Sequence, residues 1–214
     1  MSNKELIKDM LELQDSFNSS LDKNWKFKGW TWDTYMLVES AELIESLPFK
    51  HWKKMETDWG NVKVEAIDLL HFKMSKLLEE YSINKCVEII NEAYEKNCSF
   101  ITEFSEDDMI MVVTSFAADG FKSQPLFDMF EILDMQMEDI YKSYIVKNCL
   151  NKVRQDNGYS EGTYIKNWNI MNHPEMEDNI VAYSIANELD CKAGMFEKLY
   201  VELSKVYREI KENK

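Results

Sequence analysis

The feature of this sequence that most restricts its fold is the scarcity of residues that interrupt a helix. Only three prolines and six glycines occur among 214 residues. Between them, apolar residues recur at spacings close to 3.6, the period of an α-helix, and strand-like alternation is missing. The sequence therefore predicts an all-α fold, a helical bundle that forms a single domain over residues 1–214.

The same periodicity locates the individual helices. Ser105 is a suitable N-terminal cap for one of them, and Gly120 follows the end of that helix. We expect an irregular, polar connection between Trp168 and Asp178, and a mobile helical subregion at about 85–120. The predicted helices cover residues 3–20, 34–47, 60–81, 85–98 and 106–119, a stretch from 126 into the segment that begins at 147, and residues 178–188 and 192–212.

Composition excludes several classes of function. A formal net charge of -14 argues against broad nucleic-acid binding through a basic face. No apolar run approaches the ~18 residues that span a membrane, and the first ten residues lack the apolar region of a signal peptide. The four cysteines are scattered and form no CxxC pair, as expected for reduced thiols rather than a disulfide framework or a zinc site. We therefore expect a cytoplasmic protein that binds neither nucleic acid nor membranes.

Two acidic pairs on successive predicted helices indicate a metal site. Glu39 and Glu42 are three residues apart on the second helix, as are Glu65 and Asp68 on the third. This spacing places both members of a pair on one helix face, so two packed helices would bring four carboxylates together. Mg²⁺ or Mn²⁺ would offset their repulsion, because hard cations prefer oxygen ligands. The alternative is that both pairs are acidic surfaces salt-bridged to neighbouring lysines.

The segment from Lys147 to Trp168, KNCLNKVRQDNGYSEGTYIKNW, is unusually basic for this acidic chain. Its lysines and its arginine stand around Gly158 and Gly162, with amide and aromatic side chains between them. Cations neutralise phosphate oxygens, and glycine allows positive φ and close approach of the backbone. The segment is therefore a candidate phosphate-binding site, and the alternative is a surface loop that follows a helix.

The two features together indicate a nucleotide polyphosphate as ligand. A carboxylate-bound cation on one side and the basic segment on the other could clamp a polyphosphate, while one carboxylate takes the proton of the attacking water. Closer to the N-terminus, Gln14 and Asn18 could bind a base through hydrogen bonds, and Trp52 by stacking.

The acidic pairs, the basic segment and the stretch around Gln14 and Asn18, in their order along the chain, resemble the dimeric dUTPases, which belong to the all-α NTP pyrophosphatase superfamily. The resemblance extends from the first helix to near residue 168, and its last piece is the most specific. The two carboxylate pairs stand slightly closer in sequence than the family pattern suggests, which leaves the role of residues 56–59 open. The resembling stretches are LELQDSFN (around 12–18), ESAELIESLPFKHWK (39–53), NVKVEAIDLLHF (61–72) and the segment from Lys147 to Trp168.

The resemblance implies a set of roles for individual residues. Glu42 would engage the attacking water. The implied metal ligands are Glu39, Glu42, Glu65 and Asp68. The implied phosphate-binding residues are Lys147, Arg154, Tyr159 and Lys166. The implied nucleoside-binding residues are Gln14, Asn18, Trp52, His71 and Asn151.

The resemblance also implies a reaction and an assembly. The expected enzyme is a homodimer that hydrolyses dUTP and dUDP to dUMP with Mg²⁺, or with Mn²⁺, in a bacterial or phage-infected host cell, and so limits the incorporation of uracil into DNA. Two other interpretations stay open from the residues alone. One is a related pyrophosphatase that acts on another nucleotide such as dCTP, and the other is a catalytically silent helical binding protein.

Overall fold

The computed structural model describes residues 1–96, 104–168, 176–189 and 194–212. Within these ranges the chain forms nine α-helices, and the β-structure there is limited to an isolated bridge between Asn167 and Glu177. The predicted all-α fold is therefore confirmed. None of the helices in the described ranges is long and apolar enough to cross a membrane.

The chain divides into two compact units, Met1–Tyr141 and Lys142–Lys214. The single domain over 1–214 and its mobile subregion stay predictions. The first unit contains α1 (Asn3–Leu21), α2 (Trp32–Glu45), α3 (Trp59–Glu80), α4 (Ile83–Glu95), α5 (Glu106–Ala118), α6 (Ser123–Ile132) and the first turn of α7 (Met137–Asp156). The second unit contains the rest of α7, α8 (Asp178–Glu188) and α9 (Met195–Glu212).

Helix α3 is the central element of the first unit. It packs against α1, α2, α4 and α6, and its side chains are buried on nearly every side, including Val62, Ile67 and Leu70. Full burial of one such side chain contributes about 1.5–3 kcal/mol. Asp58 starts the helix by accepting a hydrogen bond from the backbone N–H of Asn61. A helix buried on nearly all sides holds its buried polar residues, including Glu65, in fixed positions.

The ends of α5 follow the predicted pattern. Ser105 and Asp108 form a reciprocal capping box at its start. The helix ends at Ala118, and Gly120 has a φ of +71°, which glycine adopts without strain. Phe121 follows with a φ of +60°, and its carbonyl accepts a hydrogen bond from the buried Lys73 side chain at 2.8 Å. This bond attaches the corner between α5 and α6 to α3.

The long periodic stretch predicted after residue 126 forms two helices in the structure. Helix α6 ends at Ile132, Asp134 has a φ of +52°, and α7 begins at Met137. Leu133 and Met135 at the break are both buried. Apolar residues therefore continue at helical spacing through the turn. Their spacing shows which residues are buried, and it does not show that the helix is continuous.

In the second unit, α8 packs against α9. The ring of Tyr207 on α9 stacks on Tyr164 at a centroid distance of 4.8 Å and contacts Trp168 at 5.8 Å. These contacts attach the end of the basic segment to the last helix. The predicted helix 178–188 is confirmed.

Four predictions fall partly or wholly on residues outside the described ranges. They concern the last residues of the helix predicted at 85–98, the polar connection at 169–175, the first residues of the helix predicted at 192–212, and the thiols of Cys98 and Cys191. Among the described residues, Cys86 and Cys149 are buried free thiols, as the sequence predicts.

Candidate active site

Three of the four predicted metal ligands meet where α2 packs against α3. One carboxylate oxygen from each of Glu39, Glu42 and Glu65 lies within 4.8 Å of the other two. We call these three residues the acidic cluster. The three-residue spacing of Glu39 and Glu42 directs both towards α3, where Glu65 is buried. Glu42 is exposed, so water and solutes can reach the cluster.

The electrostatics of the acidic cluster favour a bound cation. Burial raises the pKa of Glu39 to about 8, and the charge of Asp68, a hydrogen bond that protonated Glu39 donates to Glu65, and the charges of Glu65 and Glu42 add to the effect. Asp68 is not one of the three residues whose oxygens lie within 4.8 Å of one another. Its charge nevertheless raises the pKa of Glu39. A hard divalent cation would remove this repulsion and find the oxygen ligands that it prefers. The donor set therefore fits such an ion.

A second polar group lies between α1 and α3, and we call it the amide network. Gln14 donates through Nε2 to Ser75 Oγ at 3.0 Å and to Asn18 Oδ1 at 3.1 Å. Asn18 donates to Ser75 Oγ at 2.9 Å, and Nδ1 of His71 lies 2.8 Å from Oε1 of Gln14. All four side chains are buried. The structure therefore brings together three of the predicted nucleoside-binding residues.

Ser75 is the member of the amide network that sequence reasoning missed. Its hydroxyl accepts from both amides and donates to the carbonyl of His71 at 2.9 Å. Both amide orientations are thereby set. A serine in a helix interior carries no distinctive sequence signal, and only its position four residues after His71 could have suggested it.

Trp52 lies in the connection between α2 and α3. Its side chain is 71% exposed, and its ring contacts His51 edge-on at a centroid distance of 4.8 Å. An exposed indole presents a flat apolar surface that is suited to stacking on a planar ligand.

The basic segment begins as helix and ends as a tight turn. Helix α7 continues to Asp156, and Gly158 and Gly162 then have φ values of +88° and +69°. A Cβ added at Gly158 would stand 2.1 Å from Thr163 Oγ1. Both the positive φ and the lack of space require glycine at this position. The positive φ predicted for the two glycines is confirmed. The phosphate-binding role of the segment and its alternative, a surface loop that follows a helix, both stay predictions.

Arg154, near the end of α7, forms a buried ion pair with Asp178. Its Nε and Nη2 atoms each donate to one Asp178 oxygen at 2.8 Å. The Tyr164 hydroxyl donates to the same carboxylate at 2.9 Å, and burial together with the charge of Asp178 raises the pKa of Tyr164. Sequence reasoning missed Asp178, because it lies beyond Trp168 and its only signal is a place at the start of a predicted helix.

The remaining residues of the basic segment differ in exposure. Lys147 is buried on α7, and Asn151 accepts a hydrogen bond from Arg154 at 3.4 Å. The Arg154 guanidinium lies 5.8 Å from the centroid of the Tyr159 ring. Lys166 is about half exposed and pairs with Glu177 at 3.3 Å. Arg154 therefore contacts both Asn151 and Tyr159.

Comparison with known proteins identifies the family. A family model described as dUTPase matches residues 6–159, well over half of the chain. The match includes the acidic cluster, the amide network and the basic segment as far as Tyr159. A search of curated proteins finds no significant match. Together with the all-α fold, the family match shows that the chain belongs to the all-α dUTPase family, the enzymes that hydrolyse dUTP.

Proposed function

We propose that this protein is a Mg²⁺-dependent dUTP diphosphatase that also accepts dUDP and forms dUMP, with release of pyrophosphate or phosphate. Its biological effect would be to limit the incorporation of uracil into DNA. The observation that carries the proposal is the acidic cluster, where burial and neighbouring carboxylates raise the pKa of Glu39 to about 8. The cluster also lies inside the stretch matched by the dUTPase family model, which supports the proposal.

In this proposal, Glu39, Glu42, Glu65 and Asp68 hold the cation, which is Mg²⁺ or, as a substitute, Mn²⁺. When bound, the ion polarises a phosphoryl oxygen and lowers the pKa of a nearby water. The protein contributes the arrangement of the oxygens, since α2 and α3 hold one oxygen from each of three carboxylates within 4.8 Å of one another.

Glu42 is the group that we assign to proton transfer. It belongs to the acidic cluster and is exposed, whereas Glu65 is buried. An exposed carboxylate can orient a water molecule and accept its proton during attack on phosphorus. Glu42 is therefore the catalytic base of the proposal.

The amide network supplies the recognition of the base. Uracil presents both donors and acceptors along its edge, and Gln14 and Asn18 carry both kinds of group. Their orientations are set by hydrogen bonds to Ser75 and His71. Trp52 offers its exposed ring for stacking, and Asn151 is assigned a contact with the nucleotide.

Lys147, Arg154, Tyr159 and Lys166 bind the substrate phosphates in this proposal. Cations neutralise the charge that accumulates on the phosphate oxygens during phosphoryl transfer. The contact of Arg154 with the Tyr159 ring and with Asn151 supports a joint role. We further propose that the enzyme is a cytoplasmic homodimer, which sedimentation velocity can test directly.

The proposal is tested by measuring turnover of dUTP and dUDP beside dCTP, dTTP and UTP, in Mg²⁺, in Mn²⁺ and with a chelator. We expect metal-dependent release of dUMP from both uracil nucleotides and little reaction with the others. Turnover of dCTP in preference to dUTP would overturn the substrate assignment. A folded protein that hydrolyses none of the five would favour the catalytically silent binding protein, and activity in the chelator would remove the role of the metal.

A further inference from the structure

The guanidinium group of Arg154 has two edges that are used differently. The edge formed by Nε and Nη2 donates to the two oxygens of Asp178 at 2.8 Å each. Such paired, charge-assisted hydrogen bonds combine strength with a fixed geometry. Because both residues are buried, this edge of Arg154 is occupied by a contact inside the second unit.

The other edge, formed by Nη1 and Nη2, makes two weak contacts with residues in the described part of the chain. Nη2 donates to Asn179 Oδ1 at 3.3 Å, and Nη1 donates to Asn151 Oδ1 at 3.4 Å. Both acceptors are neutral amides, and both distances are beyond the usual range for N–H···O hydrogen bonds. Two phosphate oxygens would bind this edge more strongly, since they carry charge and match its spacing. The displaced amides could then turn their NH₂ groups towards the phosphate.

The start of α8 holds this arrangement in place. Asp178 is fully buried in the first turn of the helix, its backbone N–H donates to the Lys166 carbonyl at 3.0 Å, and its carboxylate accepts from the Tyr164 hydroxyl. Asn179 follows directly in the chain. One helical turn therefore supplies both the carboxylate that fixes Arg154 and an amide at its weakly bonded edge.

We propose that Asp178 is a positioning residue that orients Arg154 so that its Nη1–Nη2 edge receives a substrate phosphate, with Asn179 as a further polar contact. The proposal rests on the phosphate-binding role assigned to Arg154 under the proposed function. It adds two residues of α8 that lie beyond the stretch matched by the family model. The competing explanation is that the ion pair only stabilises the fold.

The test uses the full chain and inorganic tripolyphosphate, a probe with no nucleoside. Asp178→Asn keeps the size of the side chain but removes its charge and one acceptor. We expect its affinity for tripolyphosphate in Mg²⁺, measured by calorimetry, to fall about tenfold or more, because a charge-assisted hydrogen bond is lost. The KM for dUTP should rise in parallel. The matched control is Asp156→Asn, which removes an exposed acid paired with Lys152 and Tyr200 in the same unit and should change neither value more than about twofold.

A double-variant cycle separates positioning from stabilisation. Arg154→Met removes the guanidinium, so Asp178 then has no phosphate-binding group to orient. If Asp178 acts through Arg154, adding Asp178→Asn to Arg154→Met should not weaken tripolyphosphate binding further. Equal, additive losses in the two backgrounds would overturn the proposal, as would a folded Asp178→Asn variant with wild-type affinity.

A variant that keeps every charge covers the case in which Asp178→Asn does not fold. Tyr164→Phe removes one hydrogen bond to the Asp178 carboxylate, and we expect a loss of tripolyphosphate affinity of about threefold. Unchanged affinity would count against the positioning role.

The inference and the proposed function can fail separately. Tripolyphosphate binding that depends on Asp178, in a protein that does not cleave dUTP, would support the inference and overturn the substrate. Turnover of dUTP that is insensitive to Asp178→Asn would do the opposite.

Discussion

The acidic cluster and the Arg154–Asp178 pair deal with buried charge in opposite ways. In the acidic cluster, carboxylates are placed beside one another, and burial with like charge raises the pKa of Glu39 to about 8. In the ion pair, the fully buried Asp178 accepts two hydrogen bonds from Arg154 and one from Tyr164. The first region gains from an added cation, whereas the second balances its own charges.

This difference predicts which property of the protein a substitution affects first. Like charges that are held together cost stability and persist where a ligand relieves them, so changes there should affect catalysis and metal response. A buried ion pair whose partners satisfy each other is costly to break from one side, so changes there should first affect folding. The predictions below test this division, from the largest expected effect to the smallest.

Replacing Glu42 by Gln should have the largest effect on catalysis. It removes the proposed base and one charge of the acidic cluster, so turnover of dUTP should fall by about 10²–10⁴-fold. The helical signal and the thermal midpoint should stay close to wild type, because the side chain is exposed. The control is Glu45→Gln, which changes an exposed acid three residues further along α2 and should retain activity. Full activity of Glu42→Gln would refute the assignment of the base.

Replacing Asp178 by Ala should have the largest effect on folding. The change leaves a buried guanidinium without its carboxylate, and we expect the free energy of unfolding to fall by about 3–5 kcal/mol. Urea denaturation monitored by circular dichroism measures the loss. Asp156→Ala should cost about 0–1 kcal/mol, because that acid is exposed. Equal losses in the two variants would contradict the view of Asp178 as part of a satisfied network.

Addition of Mg²⁺ should stabilise the protein through the acidic cluster alone. At a concentration 100 times the dissociation constant, a ligand that binds only the folded state adds about 2.7 kcal/mol. We expect Mg²⁺ to raise the thermal midpoint of the wild-type protein, Glu65→Gln to abolish the rise, and Asp156→Asn to leave it intact. A rise that survives Glu65→Gln would place the cation elsewhere.

Lys73 extends the comparison to a buried cation that donates a hydrogen bond to the carbonyl of Phe121. Burial, with the charge of Lys76, lowers its pKa from 10.5 to about 8, against a smaller opposing effect of Glu80 and Asp33. Between these values the unfolded chain binds the proton more readily than the folded protein, so stability should rise with pH over about 8–10.5. The slope from this group is at most about 1.4 kcal/mol per pH unit. In Lys73→Met this contribution should disappear, and identical pH profiles for the two proteins would refute it.

Local features of the sequence determined a large part of the fold and part of the candidate site. Helical period located most helices, and the spacing of Glu39 and Glu42 placed both on one face. The positive φ values of Gly158 and Gly162 also follow from local chemistry, because a turn after α7 requires residues without a Cβ. These properties depend on neighbours within a few residues, and such neighbours are visible in the sequence.

Only the tertiary structure decided which distant residues meet. Asp178 reaches Arg154 across 24 positions, and Ser75 joins Gln14 across 61. It also decided that Asp68 stays outside the acidic cluster, and that a turn at Asp134 divides the long periodic stretch after residue 126. Periodicity records which residues are buried but not their partners. Those partners are chosen by the packing of whole helices, which no local pattern encodes.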